Sequence, residues 1–379
     1  MQVNLKIGIV CHPTYGGSGV VATELGVALS NLNHEVHFIS YDQPFRLDIF
    51  SDNIYYHEVT IPEYPLFEYT PYELNLTSKL VDVALHEGLD ILHVHYAIPH
   101  ASAAVNAKRI LETYGINMPI ITTLHGTDIT LLGKDKSFKP VIEYAINMSD
   151  IVTVVSEDLK RETLQYFNIK KDILTIPNFI DLNLYKKNIN NKLRENFAKS
   201  NEYLLIHVSN FRKVKRVEDV VKIFSEVSKV HPVKLLMIGD GPKRFSAENL
   251  SRKLGVFNSV KFLGKLKVIE DLLSISDIFI LPSKTESFGL VALEAMASRN
   301  VIISTNSGGL PEVNIHGVTG YLSDVGDTLK MSNDIISLLN DNNLLEKMKD
   351  NAIQHAGKFS LDKILPKYEN IYRNLVKNK

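Results

Sequence analysis

Two glutamates eight positions apart, Glu286 and Glu294, bracket the run Ser287-Phe288-Gly289-Leu290. A strand-like run ends just before the first, and a helix-like run holds the second. The N–H groups of Phe288, Gly289 and Leu290 then open that helix and form an anion site, because unpaired amides and the positive helix end both favour negative charge. Carboxylates on either side of such a site accept hydrogen bonds from hydroxyls. One phosphate site flanked by two hydroxyl acceptors suits a nucleotide-sugar, with the sugar on one side and the ribose on the other. The alternative is two acids on unrelated helices, and their registration around Ser-Phe-Gly argues against it.

Three further groups point the same way. The basic cluster Asn210-Phe211-Arg212-Lys213-Val214-Lys215-Arg216 follows an apolar run. Arginine and lysine at a strand end suit a diphosphate, whereas an ordinary charge run is only a solvated face. His125, in Thr122-Thr123-Leu124-His125-Gly126-Thr127-Asp128, also closes an apolar run. It is placed either to bond a hydroxyl or developing charge or to serve as a satisfied structural histidine. His93 and His95, alternating with apolar residues, illustrate the second option. The loop His12-Pro13-Thr14-Tyr15-Gly16-Gly17-Ser18-Gly19 precedes a helical stretch and suits a phosphate or carboxylate, or is a bare glycine turn. Its spacing is not the dinucleotide GxGxxG. Gly308-Gly309-Leu310-Pro311-Glu312 and Gly239-Asp240-Gly241-Pro242 are site loops or turns only. No Asp, Glu or His group has metal-ligand spacing, so no metal is expected.

The elements that must position these groups alternate along the chain. Apolar runs at 5–10, 35–40, 91–96, 119–125 and 151–156 have the length of buried parallel strands. Amphipathic stretches such as 72–87 and 99–114 separate them. The pattern pauses at Ile176–Asp181 and a polar Asn/Lys-rich segment, 186–201. It restarts at 203–209, 233–239, 260–264, 278–283 and 301–306. The fold expected is α/β, with two doubly wound, Rossmann-like parallel-sheet domains. The expected boundaries are 1–181 for the first, 182–358 for the second, and 359–379 for a terminal helix. In open parallel sheets ligands bind beyond the carboxyl ends of the strands, which is where the candidate residues fall.

Bulk properties exclude several classes. A chain of 379 residues is long for one core, and 45% hydrophobic with 22% charged residues is ordinary for a globular protein. A net charge of −1 argues against a general nucleic-acid binder. With the single cysteine Cys11 no intrachain disulfide can form, which fits a reducing compartment. No apolar stretch reaches the roughly 18–20 residues of a membrane span. The first ten residues read as a strand, not a signal peptide. These features together suggest a cytoplasmic protein without stable membrane insertion.

The glycine loop, Leu124-His125-Gly126, the Glu286–Glu294 pair and Gly308–Glu312 together resemble retaining glycosyltransferases of the GT-B fold, over nearly the whole chain. The resemblance implies two domains facing across a cleft, with the acceptor bound by the first domain, the nucleotide-sugar by the second, and the last helix crossing back to the first. It implies that Glu286, Ser287 and the amides of Phe288, Gly289 and Leu290 hold sugar and β-phosphate, and that Glu294 holds the ribose. Asn210, Arg212 and Lys215 would meet the diphosphate. The family usually has arginine where Asn210 stands, which shifts phosphate binding to Arg212. His125 would meet a sugar hydroxyl near the reacting carbon, making His125, Glu286, Arg212 and Lys215 the catalytic set.

A narrower likeness lies in Gly16–Gly19, Pro44–Leu47, His95–His100, His125–Thr130 and Ser209–Arg216. It implies UDP-N-acetylglucosamine as donor, L-malate as acceptor and a place in bacillithiol biosynthesis. The dianionic acceptor would meet Gly16, Gly17, Ser18, Tyr96, Thr123 and Lys139, with Gly17 also near the donor; Lys136 and Arg46 are looser candidates. No side chain is assigned as a covalent nucleophile, and the sequence leaves a homo-oligomer open. The family usually has glycine and proline after the two-glutamate helix, where this chain has Arg299 and Val301. The rival readings are a transferase acting on a lipid or cell-wall acceptor and a nucleotide-sugar-binding protein without turnover. Segment 72–87, with Asp82, His86 and Glu87, lacks the basic-apolar face the first would want.

Overall fold

The computed structural model describes residues 4–14, 16–60, 71–131, 133, 135–185 and 191–377. Tyr15 of the glycine loop and residues 186–190 of the polar break lie outside them. The chain divides into two compact units, one running to Asn178 and resuming at Asp362, the other spanning Phe179–Leu361.

The first unit is built on β1 (Lys6–Val10), β2 (Glu35–Ser40), β3 (Ile54–Glu58), β4 (Ile91–His95), β5 (Ile120–Leu124), β6 (Ile151–Val154) and β7 (Ile173–Thr175). They form one seven-stranded sheet in the order β3-β2-β1-β4-β5-β6-β7. Every pairing is parallel. Because helices cross between successive strands, the central ones are covered on both faces and are apolar throughout. Val10, Ile39, Leu92, Val94 and Ile120 pack with Leu76, Leu80 and Leu111 from the helices Tyr72–Val83 and Ser102–Thr113. The terminal helix Leu361–Lys377 seats Tyr368 and Tyr372 in this unit, where the Tyr372 hydroxyl lies 2.7 Å from Nδ1 of His93.

The second unit contains β8 (Tyr203–Val208), β9 (Val233–Ile238), β10 (Val260–Gly264), β11 (Ile278–Leu281), β12 (Val301–Thr305) and β13 (Gly320–Ser323). Its six strands follow the order β10-β9-β8-β11-β12-β13, again all parallel. Leu205, Leu235, Ile278 and Ile303 pack against Val220, Phe224, Met331 and Ile335.

The expected strand runs are all present. The sequence reading omits β3, β7 and β13, which are short or partly exposed and therefore carry weak apolar signals. In each sheet the strand order reverses direction at one place, between β1 and β4 and between β8 and β11, and such switch points open a crevice at the carboxyl ends.

Arg299 takes the left-handed conformation, φ 69°, just past the helix Leu290–Ala297. Its guanidinium reaches Glu346 at 2.8 Å and Asp350 at 2.7 Å. Relief of the left-handed strain by glycine is worth about 1 kcal/mol, similar to what such partly exposed pairs contribute. Denaturant melts should show Arg299→Gly close to neutral and Arg299→Ala destabilised by about 1 kcal/mol, because alanine keeps the strain and loses the pairs. Equal destabilisation of both variants would contradict this balance.

Candidate functional site

Each unit gathers its candidate residues beyond the carboxyl ends of its own sheet. In the first unit the loop after β1 runs into the helix Gly17–Asn31, whose N-cap is Gly16. Gly19 lies against this loop so closely that a Cβ there would stand 2.6 Å from the carbonyl oxygens of His12 and Thr14. The N–H groups of Gly17 and Ser18 take part in no backbone hydrogen bond among the described residues. They stand at the positive end of a four-turn helix, a setting that favours a carboxylate or phosphate.

The loops after β4 and β5 come to the same place. The Ser18 hydroxyl is 2.8 Å from that of Tyr96, whose backbone φ of 87° is a costly conformation for a large side chain. Tyr96 stacks obliquely on His125 at 5.4 Å between ring centres and meets His12 at 5.2 Å. Nδ1 of His95 lies 2.8 Å from Nε2 of His125. The structure therefore brings Ser18, Tyr96 and His125 together.

His95 Nε2 is buried without a partner. An orphaned N–H is the rarer defect, so the proton belongs on His95 Nδ1, donating to His125 Nε2. His125 then carries its own proton on Nδ1. Burial pushes His93, His100 and His125 down to about 3 and His95 well below its ordinary value, with neighbouring imidazoles adding to the effect. At neutral pH the cluster is uncharged, and His125 acts as a dipolar hydrogen-bonding group, not as a cation.

Asp128 fixes these loops. Its carboxylate accepts from the N–H of Ala97 at 2.9 Å and of Gly126 at 3.0 Å. Burial raises its pKa to about 6 despite those bonds. Sequence reasoning includes Asp128 only as part of a motif. Its signal was the two-residue step beyond Gly126, the spacing of a side chain that folds back onto its own loop.

One expected acceptor contact, Thr123, is corrected, and Lys139 gains no support from the described contacts. Thr123 is fully buried, and its hydroxyl lies 2.7 Å from His93 Nε2 and 2.6 Å from Thr153 Oγ1, so it is spent inside the sheet. Lys139 stands exposed on the first turn of the helix Lys139–Met148, 3.7 Å from Glu143, and no described contact joins it to the Gly16–Ser18 loop. Of the looser candidates, Arg46 pairs with Glu24 at 2.9 Å and Lys136 is exposed. His93 uses both ring nitrogens on protein partners, Tyr372 and Thr123, and is structural.

In the second unit the loop after β8 meets the loop after β11. Lys215 Nζ lies 2.6 Å from Glu286 Oε1, and the Lys284 N–H donates to the Val214 carbonyl at 2.7 Å. Arg212 and Asn210 are exposed on the same loop. His207, missed in the sequence, supports it from beneath. Its Nδ1 is 2.8 Å from the Ile280 carbonyl and its Nε2 is 2.8 Å from the Ser209 hydroxyl, which accepts the Phe211 N–H at 3.3 Å.

Gly289 caps the helix Leu290–Ala297, and the N–H groups of Phe288, Gly289 and Leu290 enter no backbone hydrogen bond among the described residues. Glu286 is nearly buried on one side of this turn. On the other side Glu294 is buried on the helix, accepting from the Tyr185 hydroxyl at 3.0 Å. Gly308 adopts φ 65°, and a Cβ there would come within 2.1 Å of the Glu286 carbonyl oxygen. The glycine pair thus shapes the Glu286 turn from behind. Ser287 sits within the turn, between Glu286 and these amides.

Comparison with known proteins places the chain in a family. Residues 188–355 match the family model "Glycosyl transferases group 1", and residues 15–184 match "Glycosyltransferase Family 4". The chain is 47% identical to N-acetyl-α-D-glucosaminyl L-malate synthase of Bacillus anthracis over 378 residues, 99% of this chain and 98% of that one. It is 31% identical to a D-inositol 3-phosphate glycosyltransferase of Corynebacterium kroppenstedtii over 46% of this chain and 41% of that one. Among solved structures, sucrose-phosphate synthase from Thermosynechococcus elongatus superposes with a TM-score of 0.82 at 20% identity, covering 99% of this chain and 100% of that chain. Anabaena Alr3699/HepE, in complex with UDP-glucose, gives a TM-score of 0.81 at 21% identity, covering 98% and 100%. These structural likenesses establish the two-domain glycosyltransferase fold.

Proposed function

The chain belongs to the glycosyltransferases of group 1 and family 4, and on that footing we propose that it transfers N-acetylglucosamine from UDP-N-acetylglucosamine to the hydroxyl of L-malate. The observation that carries the substrates is the 47% identity over 99% of the chain to an enzyme named for that product. Such a product opens the route to bacillithiol. A cytoplasmic setting fits a chain whose one cysteine, Cys11, is buried. Among the described residues no helix is long and apolar enough to cross a membrane.

In this reading the donor diphosphate lies over the Phe288–Leu290 amides, with Arg212 and Lys215 as its cationic partners and Asn210 beside them. Glu286 and Ser287 face the sugar, and Glu294 takes the ribose hydroxyls. Malate lies at the Gly16–Ser18 amides with Ser18 and Tyr96. The reaction retains anomeric configuration. The bond between the anomeric carbon and the β-phosphate oxygen breaks, the malate hydroxyl oxygen bonds to that carbon from the same face, and its proton passes to the departing phosphate. Catalysis then rests on positioning and on stabilising charge on the diphosphate, with His125 donating from Nδ1 to a sugar hydroxyl.

The deciding experiment incubates the protein with UDP-N-acetylglucosamine and a panel of hydroxy acids and identifies products by mass. N-acetylglucosaminyl malate and UDP in equal amounts are expected, with turnover unchanged after exhaustive chelation. Transfer to a lipid but to no hydroxy acid would overturn the acceptor. Loss of turnover with chelator, restored by one divalent ion, would overturn metal independence.

A further inference from the structure

At the amino end of the first sheet, away from the ligand loops, β2 presents Glu35 and His37 on one face, and the chain turn Ala84–Gly88 brings Glu87 against them. One ligand atom from each of the three lies within 4.8 Å of the others. His37 is fully buried and held rigidly between rings, stacked on Tyr55 at 4.9 Å and on His57 at 5.2 Å. Its Nε2 faces Glu35 Oε1 at 3.1 Å, and its Nδ1 faces His57 Nε2 at 2.9 Å.

From this geometry we propose a structural site for a divalent transition-metal ion of the zinc class, bound by Glu35, His37 Nε2 and Glu87, with water completing a tetrahedron. One imidazole with two carboxylates is a donor set such ions accept, at bond lengths of about 2.0–2.2 Å. Donors spaced as these are need only small rotamer changes to reach them. His57 Nε2, 2.9 Å from His37 Nδ1, gives the ring's other nitrogen an outer partner that fixes its orientation. Without metal, His37 donates from Nε2 to Glu35 and accepts at Nδ1. With metal, the ion takes the place of the Nε2 proton, and His37 donates from Nδ1 to His57.

Lys6, 2.8 Å from Glu35 Oε1 and 41% exposed at its side chain, is the resident cation that the metal displaces into solvent. The bound ion ties β2 to the end of the helical segment that covers it. It lies at the opposite end of the sheet from the Gly16–Ser18 loop and takes no part in sugar transfer.

The test uses full-length protein stripped with EDTA, then titrated with zinc chloride by calorimetry, with Co2+ absorption as a second readout. One equivalent of zinc should bind and raise the melting temperature, and Co2+ should give a tetrahedral visible spectrum. Glu87→Gln, which leaves the Lys6–Glu35–His37 chain intact, should weaken zinc at least about tenfold, and Lys6→Met should tighten it by removing the competitor. Transferase activity of both variants should equal that of the parent. No zinc uptake by the stripped parent would overturn the site. Affinities unchanged in Glu87→Gln and Lys6→Met would do the same, by placing the bound ion elsewhere.

Discussion

Glu286→Gln should lower kcat by about a hundredfold while UDP binds within about threefold of its original affinity, since a hydrogen bond to a charged group is worth roughly 1.5–3 kcal/mol and only the intact donor carries the sugar hydroxyl. The structure supplies the second half of the argument. Glu286 holds the Lys215 ammonium at 2.6 Å, both groups being largely sheltered from solvent. In the proposed donor site, a diphosphate at this turn competes with Glu286 for that ammonium. Neutralising Glu286 frees Lys215 for phosphate, so UDP gains what the carboxylate no longer withholds. Lys215→Met has the opposite effect. It removes the phosphate partner and leaves Glu286 facing the diphosphate unpaired, so UDP affinity and kcat should both fall by one to two orders of magnitude, about 1.4–3 kcal/mol. In the double variant the losses should not add, because each single change disturbs the same pair; a coupling of about 1–3 kcal/mol is expected. Calorimetry with UDP and steady-state kinetics with the full donor measure both quantities. If Glu286→Gln weakens UDP as much as Lys215→Met does, the division between sugar and phosphate recognition is wrong.

That pair also marks the limit of what a sequence can reveal. Glu286 and Glu294 are legible because one loop and the helix after it carry both, so spacing alone registers them around Ser287–Leu290. Lys215 is legible as part of a basic run after a strand, but not as the partner of Glu286, 71 positions away, since that contact exists only where β8 and β11 lie side by side. The central strands announce themselves by unbroken apolar runs, because helices cover both their faces. β3 reads Ile-Tyr-Tyr-His-Glu and β13 is only four residues, so neither stands out from a loop. Thr123 fails as an acceptor ligand for the same reason. Strand-end position is visible in sequence, but the side to which a hydroxyl turns is decided by neighbours such as His93 and Thr153.

Acidification from pH 7 to 5 should destabilise the first unit steeply, because its buried histidines are neutral when folded. An imidazole with an unfolded pKa near 6.5 and a folded one near 3 binds its proton only on unfolding throughout that window. Its contribution to stability is complete above pH 6.5 and is lost progressively as pH falls toward 3. His93, His95, His100 and His125 all act in this sense. Asp128 acts in the other: its carboxyl, raised from 3.8 to about 6, holds a proton when folded that the unfolded chain releases, so it favours the fold as pH drops from 6 to 3.8. These imidazoles, with His12, His34, His37 and His57 lowered by burial in the same sense, outnumber the one carboxyl, so unfolding takes up several protons near pH 5, each adding about 1.4 kcal/mol per pH unit to the slope. Such a slope would exhaust the stability of an ordinary domain within about two pH units. Denaturant midpoints followed by circular dichroism from pH 7.5 to 5 would show it. A midpoint that stays level across that range would refute the neutral cluster. His100→Asn provides the internal check. His100 donates from Nδ1 to the His95 carbonyl at 2.5 Å, a bond the asparagine amide can keep, while its Nε2 is buried without a partner. The variant should fold and lose about one proton from the slope. The same neutrality bears on chemistry. If His125 works as an uncharged donor from Nδ1, kcat should be level between pH 6.5 and 8 wherever the protein remains folded. A limb of activity rising or falling near pH 6.5 that disappears in His125→Asn would show that the imidazole acts by changing charge.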